Sequence, residues 1–308
     1  TATQIKAIST TQMGKFSAEQ IAMFSSDSAN NQIAALSSAQ IGAMSGDQVA
    51  GLKTDQISKM SAAQVGAFTA TQAPSLTSAQ VGAMSDVQVA AISNSAFAKL
   101  STDVIAGLKT VKNDSDKLSQ VQALTVGQIG QMDASQIQAL TAGADKQIAS
   151  FTDKQMAAFS KTQLNQMSGE QVASITTDQI KKLTFTGSDG QINNLSKDLV
   201  SALTNAQVTA LSDKQVASLS ADQLSAMNNG QLAAIDGKDL AGLSAAKLNT
   251  LTADQFNAFS ATQVKTLTTD QVAALDDEII QGMGSEEIQA LTATQIKAIS
   301  TTQMGKFS

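Results

Sequence analysis

The chain has 308 residues and a formal net charge of −6, with 26 acidic residues and 20 basic residues that are all lysine. It contains no cysteine, histidine, tryptophan or tyrosine. This composition excludes thiolate and imidazole metal sites and nucleophile pairs that need histidine. It also lacks the arginine and aromatic stripe typical of nucleic-acid binding, and no apolar run is long enough to span a membrane. We therefore expect neither an enzyme, nor a nucleic-acid partner, nor a membrane span.

One eight-residue pattern, Ser/Thr-x-x-Gln-Ile/Val-x-Ala-Leu, runs through the chain, beginning with TATQIKAI, STTQMGKF and SAEQIAMF at Thr1. Gln occupies the fourth position in 29 of 37 octads. The fifth position is almost always a sizeable apolar residue, and the eighth is almost always Leu, Ile, Met or Phe. These two positions are the predicted core. A fixed short period of this kind indicates a repeat architecture.

The local chemistry of the octad predicts short helices. Ser17 and Gln20 have the spacing of a capping box, and Phe16 and Ile21 have that of a hydrophobic staple. A continuous coiled coil is excluded, because eight residues over two turns is about 4.0 residues per turn against 3.6 for an α-helix. The sequence therefore predicts an all-α superhelical solenoid of very short capped helices, one per eight-residue repeat. A β-solenoid is the alternative, since an even repeat also keeps strands in phase.

Four stretches rich in Asp, Asn, Ser and Gly interrupt the pattern, and their composition is typical of turns. In chain order they lie near residues 25–31, 109–117, 141–146 and 184–190. We expect them to form loop inserts that project from a single continuous octapeptide-repeat solenoid over residues 1–308.

The same inserts contain oxygen ligands of the kind that Ca²⁺ prefers. The candidate residues are Asp27, Asp114, Asp116 and Asp189. None lies in an EF-hand loop or a glycine-rich nonapeptide, and solvated turns are the alternative interpretation. The sequence indicates no catalytic residues and no cofactor apart from Ca²⁺ at these positions.

A longer period is visible at the ends of the chain. Residues 1–17 recur without change as residues 292–308, an offset of 291 residues. Other octads resemble one another but differ at several positions. We expect the chain to be a window on a longer array with a 291-residue period. The alternative is a duplication confined to the two ends.

The octad resembles the L-[ST]-x-x-Q-[IV]-x-A tracts of very large repetitive bacterial proteins, many of which are exported by type I secretion and are adhesin-like. The resemblance covers the whole chain. It implies an extracellular or cell-surface location. Those proteins often also contain glycine- and aspartate-rich Ca²⁺ repeats, which this chain lacks.

The pattern and the resemblance together predict a structural protein that forms an extracellular filament or stalk by stacking of octads. The expected partner is the chain itself, through self-association into fibres or bundles, with the cell surface or a substratum as the attachment. The alternative is an adhesin-type binding module whose Asp/Asn/Gly inserts bind a ligand or Ca²⁺. Ice binding through threonine pairs such as Thr69 and Thr71 would need a flat face in every octad, and only scattered octads have that pair.

Overall fold

The computed structural model describes residues 1–112, 116–143 and 146–307. Within these ranges the chain forms 33 α-helices of four to six residues and two 3₁₀ turns, and no strand. The all-α prediction is confirmed, and the β-solenoid alternative is wrong for the part of the chain described. The chain divides into two compact units, Thr1–Phe159 and Ser160–Ser308. Continuity of one solenoid over both units stays a prediction.

The first unit contains sixteen helices and a 3₁₀ turn at Ala73–Ser75. The helices are α1 (Ala2–Ala7), α2 (Thr10–Met13), α3 (Ala18–Ala22), α4 (Ser38–Gly42), α5 (Gly46–Ala50), α6 (Thr54–Ser58), α7 (Ala62–Val65), α8 (Ser78–Gly82), α9 (Asp86–Ala91), α10 (Asn94–Phe97), α11 (Thr102–Ala106), α12 (Gln120–Ala123), α13 (Val126–Gly130), α14 (Ala134–Ala139), α15 (Gln147–Ser150) and α16 (Asp153–Met156).

The second unit contains seventeen helices and a 3₁₀ turn at Ile192–Asn194. The helices are α17 (Lys161–Leu164), α18 (Gly169–Ala173), α19 (Thr177–Lys182), α20 (Lys197–Ser201), α21 (Asn205–Ala210), α22 (Asp213–Ser218), α23 (Ala221–Ser225), α24 (Asn229–Ala233), α25 (Gly237–Leu240), α26 (Ala245–Leu248), α27 (Ala253–Phe256), α28 (Ala261–Thr266), α29 (Thr269–Ala273), α30 (Asp277–Gly282), α31 (Ser285–Ala290), α32 (Ala293–Ala298) and α33 (Thr301–Met304).

Most of the described helices begin at the predicted capping box, whereas α15, α30 and α31 have no side-chain cap. In α3, Ser17 Oγ accepts a hydrogen bond from the Gln20 amide at 3.2 Å, while Gln20 Oε1 accepts one from the Ser17 amide at 2.8 Å. Ser17 itself is extended, with φ −75° and ψ 163°. α6 departs from the pattern, because its N-cap residue Lys53 has no side-chain acceptor and only Gln56 completes its half of the box. The helices end after one to two turns because the eighth residue of many octads is extended, as at Leu140.

Packing between octads follows one rule in both units. Many helices contact the helix three octads before them, as α7 contacts α4 in the first unit and α32 contacts α29 in the second. Side chains at the fifth and eighth positions fill the space between the two helices. In interior octads both side chains are buried, as Ile41 and Met44 are. Helices this short are not stable alone, so their stability comes from this stacking.

All four inserts occur at the same point of the repeat, between its first residue and its fourth. The fourth-position glutamine still accepts a hydrogen bond from the backbone amide of the first residue across every insert. The pairs are Ser25–Gln32 at 2.7 Å, Lys109–Gln120 at 3.0 Å, Thr141–Gln147 at 3.0 Å and Thr184–Gln191 at 2.9 Å. The inserts therefore lengthen an octad without adding one to the stack.

Two inserts also contain the backbone conformations that favour glycine. Gly143 has φ +119° and Gly187 has φ +70°, and no other described residue has a positive φ. A residue with a Cβ would be strained at either position. Gly143 lies in the insert near residues 141–146 and Gly187 in the insert near residues 184–190, so the turn composition noted in the sequence has a conformational cause.

Deletion of residues 142–144 should preserve the fold. It would join Thr141 to Asp145 and give the octad TDKQIASF, which closely matches the natural octad TDKQMAAF at residues 152–159. Because no octad is lost from the stack, we expect the urea midpoint of unfolding to stay the same or to rise. As a control, deletion of residues 126–128 removes three residues from an uninterrupted octad and should lower the midpoint strongly. A comparable loss from both deletions would contradict the assignment of the insert.

Candidate functional site

The fourth-position glutamine makes three hydrogen bonds that join two turns of the stack. Gln128 Oε1 accepts from the Thr125 amide at 2.8 Å, which caps its own helix. Its Nε2 donates to the carbonyl oxygens of Val89 at 2.9 Å and Ile92 at 2.8 Å. Gln128 is fully buried. One amide therefore starts a helix with its oxygen and holds the preceding turn with its nitrogen.

The same geometry recurs in the second unit. Gln231 Oε1 accepts from the Asn228 amide at 2.8 Å. Its Nε2 donates to the carbonyl oxygens of Val200 at 2.9 Å and Leu203 at 2.7 Å. Val200 and Leu203 occupy the fifth and eighth positions of the octad four before that of Gln231. Since helices contact three octads back and glutamines reach four back, each turn of the stack within a unit contains between three and four octads.

These bonds provide a donor for the eighth-position carbonyl and a second donor for the fifth-position carbonyl, which already accepts from the eighth-position amide, as Val89 does from Ile92 at 3.2 Å. The last carbonyls of a helix have no intrahelical donor, and here the chain turns away after the eighth residue. A buried polar group without a partner costs about 1–3 kcal/mol. The glutamine amide removes that cost at the eighth-position carbonyl of each octad that it reaches, so the series of fourth-position glutamines is the main polar link between turns. We call this series the glutamine ladder.

The ladder gives every octad two different faces. The back face consists of the fourth-position glutamine amide and the eighth-position side chain, and the preceding turn covers it. The front face consists of the fifth-position side chain and the carbonyl oxygens of the fifth and eighth residues, and the following turn covers it. Interior octads have both faces covered, as in the octad of Gln40 and Ile41, which are both buried.

Three octads in the second unit have an ionisable residue in place of the ladder glutamine, namely Asp239, Lys247 and Glu287. Lys247 keeps a donor, and its Nζ donates to the carbonyl oxygen of Ala217 at 2.7 Å. Burial lowers the pKa of the Lys247 ammonium. Asp239 has no donor when it is ionised, its side chain is 3% exposed, and its Oδ1 has no hydrogen-bond partner. Burial raises the pKa of the Asp239 carboxyl above its ordinary value, and the neighbouring charge of Asp236 raises it further.

The two ends of the chain expose opposite faces of the same repeat. At the start, Gln4, Gln12 and Gln20 are exposed, and their Nε2 atoms have no partner among the described residues. At the end, the side chains of Ile296 and Met304 are 38% and 48% exposed. The capping boxes of Ser9 and Ser300 both form, so capping does not depend on which neighbouring octads are present.

The predicted Ca²⁺ residues are not arranged as a metal site where they are described. Asp27 is exposed and accepts from Ser25 Oγ at 3.3 Å, Asp116 is buried, and Asp189 pairs with Lys161 Nζ at 3.4 Å. Asp114 lies outside the described residues. Among the residues that are described, no group of three or more acidic side chains could hold a metal ion. Binding of Ca²⁺ stays a prediction.

Two inserts of the first unit line a basic cleft. The cleft has a volume of about 480 Å³, and residues of the inserts near 109–117 and 141–146 form its walls. Its lining includes the side chains of Lys109, Lys112 and Lys146. Among the described residues that line the cleft, the charged ones are these three lysines.

The comparisons with known proteins identify a repeat and no activity. Two stretches, residues 29–54 and 232–269, match the family model described as the ALTTAQ repeat. The segment ALSSAQ at residues 35–40 lies in the first match and includes the cap Ser37 and the ladder residue Gln40. The matches cover less than half of the chain and show its similarity to a repeat family. No curated protein matches the chain. No described helix is long and apolar enough to cross a membrane.

Replacement of a ladder glutamine by glutamate separates its two roles. Gln128→Glu keeps the acceptor for Thr125 and removes the donor for Val89 and Ile92, placing a carboxylate beside two carbonyl oxygens. We expect the free energy of unfolding at neutral pH to fall by about 3 kcal/mol, with partial recovery at acid pH when the carboxyl is protonated. Urea unfolding at both pH values measures this. The control Gln12→Glu alters an exposed glutamine with the same capping box, and an equal loss there would disprove the ladder's role.

Asp239→Gln should restore a missing part of the ladder. The folded state binds the Asp239 proton more tightly than the unfolded state, because its pKa is raised. Its contribution to stability is therefore full below the unfolded pKa of about 4 and is lost as pH rises through the folded pKa. At neutral pH the variant should be more stable by about 1–3 kcal/mol, and its advantage should shrink at acid pH. Urea midpoints over this pH range test it. Asp270→Gln, at an exposed acid, should show neither effect.

Proposed function

We propose that the chain is a structural protein that forms an extracellular filament or stalk by stacking of octad repeats. The observation that supports this most directly is the glutamine ladder. Its donors and acceptors join each turn to the next by backbone carbonyls, which every octad has whatever its sequence. A stack of this type can therefore be extended repeat by repeat.

Two further observations support a mechanical role. The polar groups of the ladder are consumed in bonds between turns, as Gln128 and Gln231 show, which leaves them unavailable for substrate chemistry. The exposed surface consists mainly of Ser, Thr, Ala, Asp and Lys on short helices. The resemblance of the octad to tracts of large adhesin-like bacterial proteins supports the extracellular location and the attachment to a cell surface or substratum.

Cryo-electron microscopy of the native material, taken directly from cells, tests this proposal. Long uniform fibres whose density traces the octads, with an axial repeat matching 291 residues, are the expected result. Flexible strands that end in globular heads would contradict the filament proposal. In that case this region would be a spacer, and the function would belong to the heads.

A second candidate function is a binding module, and the basic cleft between the inserts favours it. Lys109, Lys112 and Lys146 line that cleft together with Thr110 and Thr141. Removing residues 110–117 and 142–144 would leave two regular octads, KLSQVQAL and TDKQIASF, and would abolish the cleft. In an adhesion assay with the native surface, loss of attachment by this variant would favour the binding module. Unchanged attachment and assembly would favour the structural role.

A further inference from the structure

The octad at residues 236–243, inside the second unit, does not complete its place in the glutamine ladder. One octad earlier, Gln231 donates to the carbonyl oxygens of the fifth and eighth residues four octads before it. Asp239 occupies the same position of its octad, but its side chain is one methylene shorter and has no donor when it is ionised. The register of the ladder assigns the carbonyls of Val208 and Leu211 to Asp239.

The polar groups that meet at this place are hydrogen-bond acceptors. Asp239 Oδ1 is buried and has no hydrogen-bond partner. The carbonyl oxygen of Val208 accepts from the Leu211 amide at 3.1 Å, and no side chain in the described part of the chain donates to the carbonyl of Leu211. In other octads the glutamine Nε2 supplies that donor. The place therefore suits a group that carries several donors.

A pocket opens at the same place. It has a volume of about 450 Å³ and is lined by Leu211, Ser212, Asp213, Lys238 and Asp239. This volume lies within the range of about 300–1,000 Å³ typical of small-molecule sites and is far larger than the roughly 30 Å³ of one water molecule. Asp239 and Leu211 are buried, whereas Ser212, Asp213 and Lys238 are exposed. The buried acceptors therefore lie beneath a polar rim.

The charges of the pocket favour a cation. Two carboxylates, Asp213 and Asp239, line it with one lysine, Lys238. None of the three ion pairs in the described part of the chain includes Asp239. Burial raises the pKa of the Asp239 carboxyl, and the charge of Asp236 raises it further. A cation beside the carboxylate would oppose both effects.

The next octad shows which kind of cation fits the ladder. Lys247 occupies the fourth position there, and its Nζ donates to the carbonyl oxygen of Ala217 at 2.7 Å. Ala217 is the sixth residue of the octad four before, and Gln231 donates to the corresponding residue, Ser201, at 3.1 Å. An alkylammonium therefore takes the place of a ladder amide and bonds the same kind of carbonyl. It has three N–H donors, whereas the amide has two.

We propose that the pocket at Asp239 binds a primary alkylammonium group, which donates to the Asp239 carboxylate and to the carbonyl oxygen of Leu211. The group would belong to a small amine or to a lysine side chain of another protein. Its binding would complete the ladder at this octad. The site lies within the second unit and does not depend on the proposed filament.

Saturation-transfer NMR of the full chain with n-butylamine at about pH 8 tests the proposal. Butylamine ends in the same group as a lysine side chain and is charged at this pH. We expect saturable binding with a dissociation constant in the millimolar range, as for other ligands of so few atoms. Tetramethylammonium has the same charge and no N–H donor, so it should bind at least about tenfold more weakly. Absence of saturable butylammonium binding, or equal binding of the two cations, would overturn the proposal.

Asp239→Gln is the sharpest variant, because it supplies the missing amide from the chain itself. It should not bind butylammonium, and its urea midpoint at neutral pH should rise, so the loss of binding would not reflect unfolding. Asp239→Asn removes the charge and is too short to complete the ladder, and it should weaken binding about tenfold or more. An Asp239→Gln variant that binds like the wild type would show that the pocket is not the site.

Two matched controls alter charges elsewhere. Asp270→Gln changes an exposed acid that does not line the pocket and should bind butylammonium like the wild type. Lys238→Gln removes the cation from the rim and should strengthen binding, because it leaves the two carboxylates of the pocket unopposed. Weaker binding by the Lys238→Gln variant would contradict a site for cations.

A second probe identifies the source of the ammonium group. Nα-acetyl-lysine N-methylamide carries the same group on a peptide backbone. Binding of this probe with an affinity similar to that of butylammonium would assign the site to a lysine side chain of another protein. Binding of butylammonium alone would assign it to a small amine, because the rim would then exclude a peptide backbone. Either result upholds the ammonium site.

Discussion

The primary amide of the ladder glutamine is the group on which the structure depends. Its oxygen accepts from the cap of its own helix, and its nitrogen donates to two carbonyls one turn away, as in Gln40 with Ile5 and Ile8, both at 2.7 Å. Local and long-range structure are therefore fixed by one rigid planar group. Asparagine is shorter by a methylene, and glutamate has no N–H donor, so neither can perform both functions at neutral pH. Glutamine therefore occupies most fourth positions, and an octad without it loses one or both functions, as Asp239 loses the donor.

The sequence allowed the helices, their caps and the core positions to be predicted, because those features are local. The box of Ser17 and Gln20 has the predicted partners. The contact between turns could not be predicted, since its acceptors are backbone carbonyls that leave no residue-type signal. One indirect signal was present. Glutamate serves a capping box as well as glutamine and suits the positive end of a helix, yet among the fourth positions it occurs only at Glu287. Such a strong preference for the amide indicates a need for its donor.

The inserts show how the ladder tolerates irregular sequence. Their composition located them, but the sequence did not reveal that all four open at the same junction. Thr184 and Gln191 are seven residues apart and still exchange both capping bonds, at 2.9 and 3.1 Å. Because the two residues that define the octad are held by each other, the length of chain between them has little effect on the stack. The segment KTVKNDSD keeps the sequence in phase, yet Lys109 and Gln120 act as the first and fourth residues of one octad, and Gln120 donates to Val81 and Met84.

A stack of such octads has no intrinsic length, because each octad interacts only with those three and four positions away. Its stability is then a sum of nearest-neighbour terms, and a terminal turn differs from an interior turn only by the face it lacks. Ile5 and Ile296 show this difference directly, since identical octads are buried at one end and exposed at the other according to which neighbour is present. The same seventeen-residue sequence thus forms the same capped helices in both places, so the octad's local structure is independent of which neighbouring turn covers it.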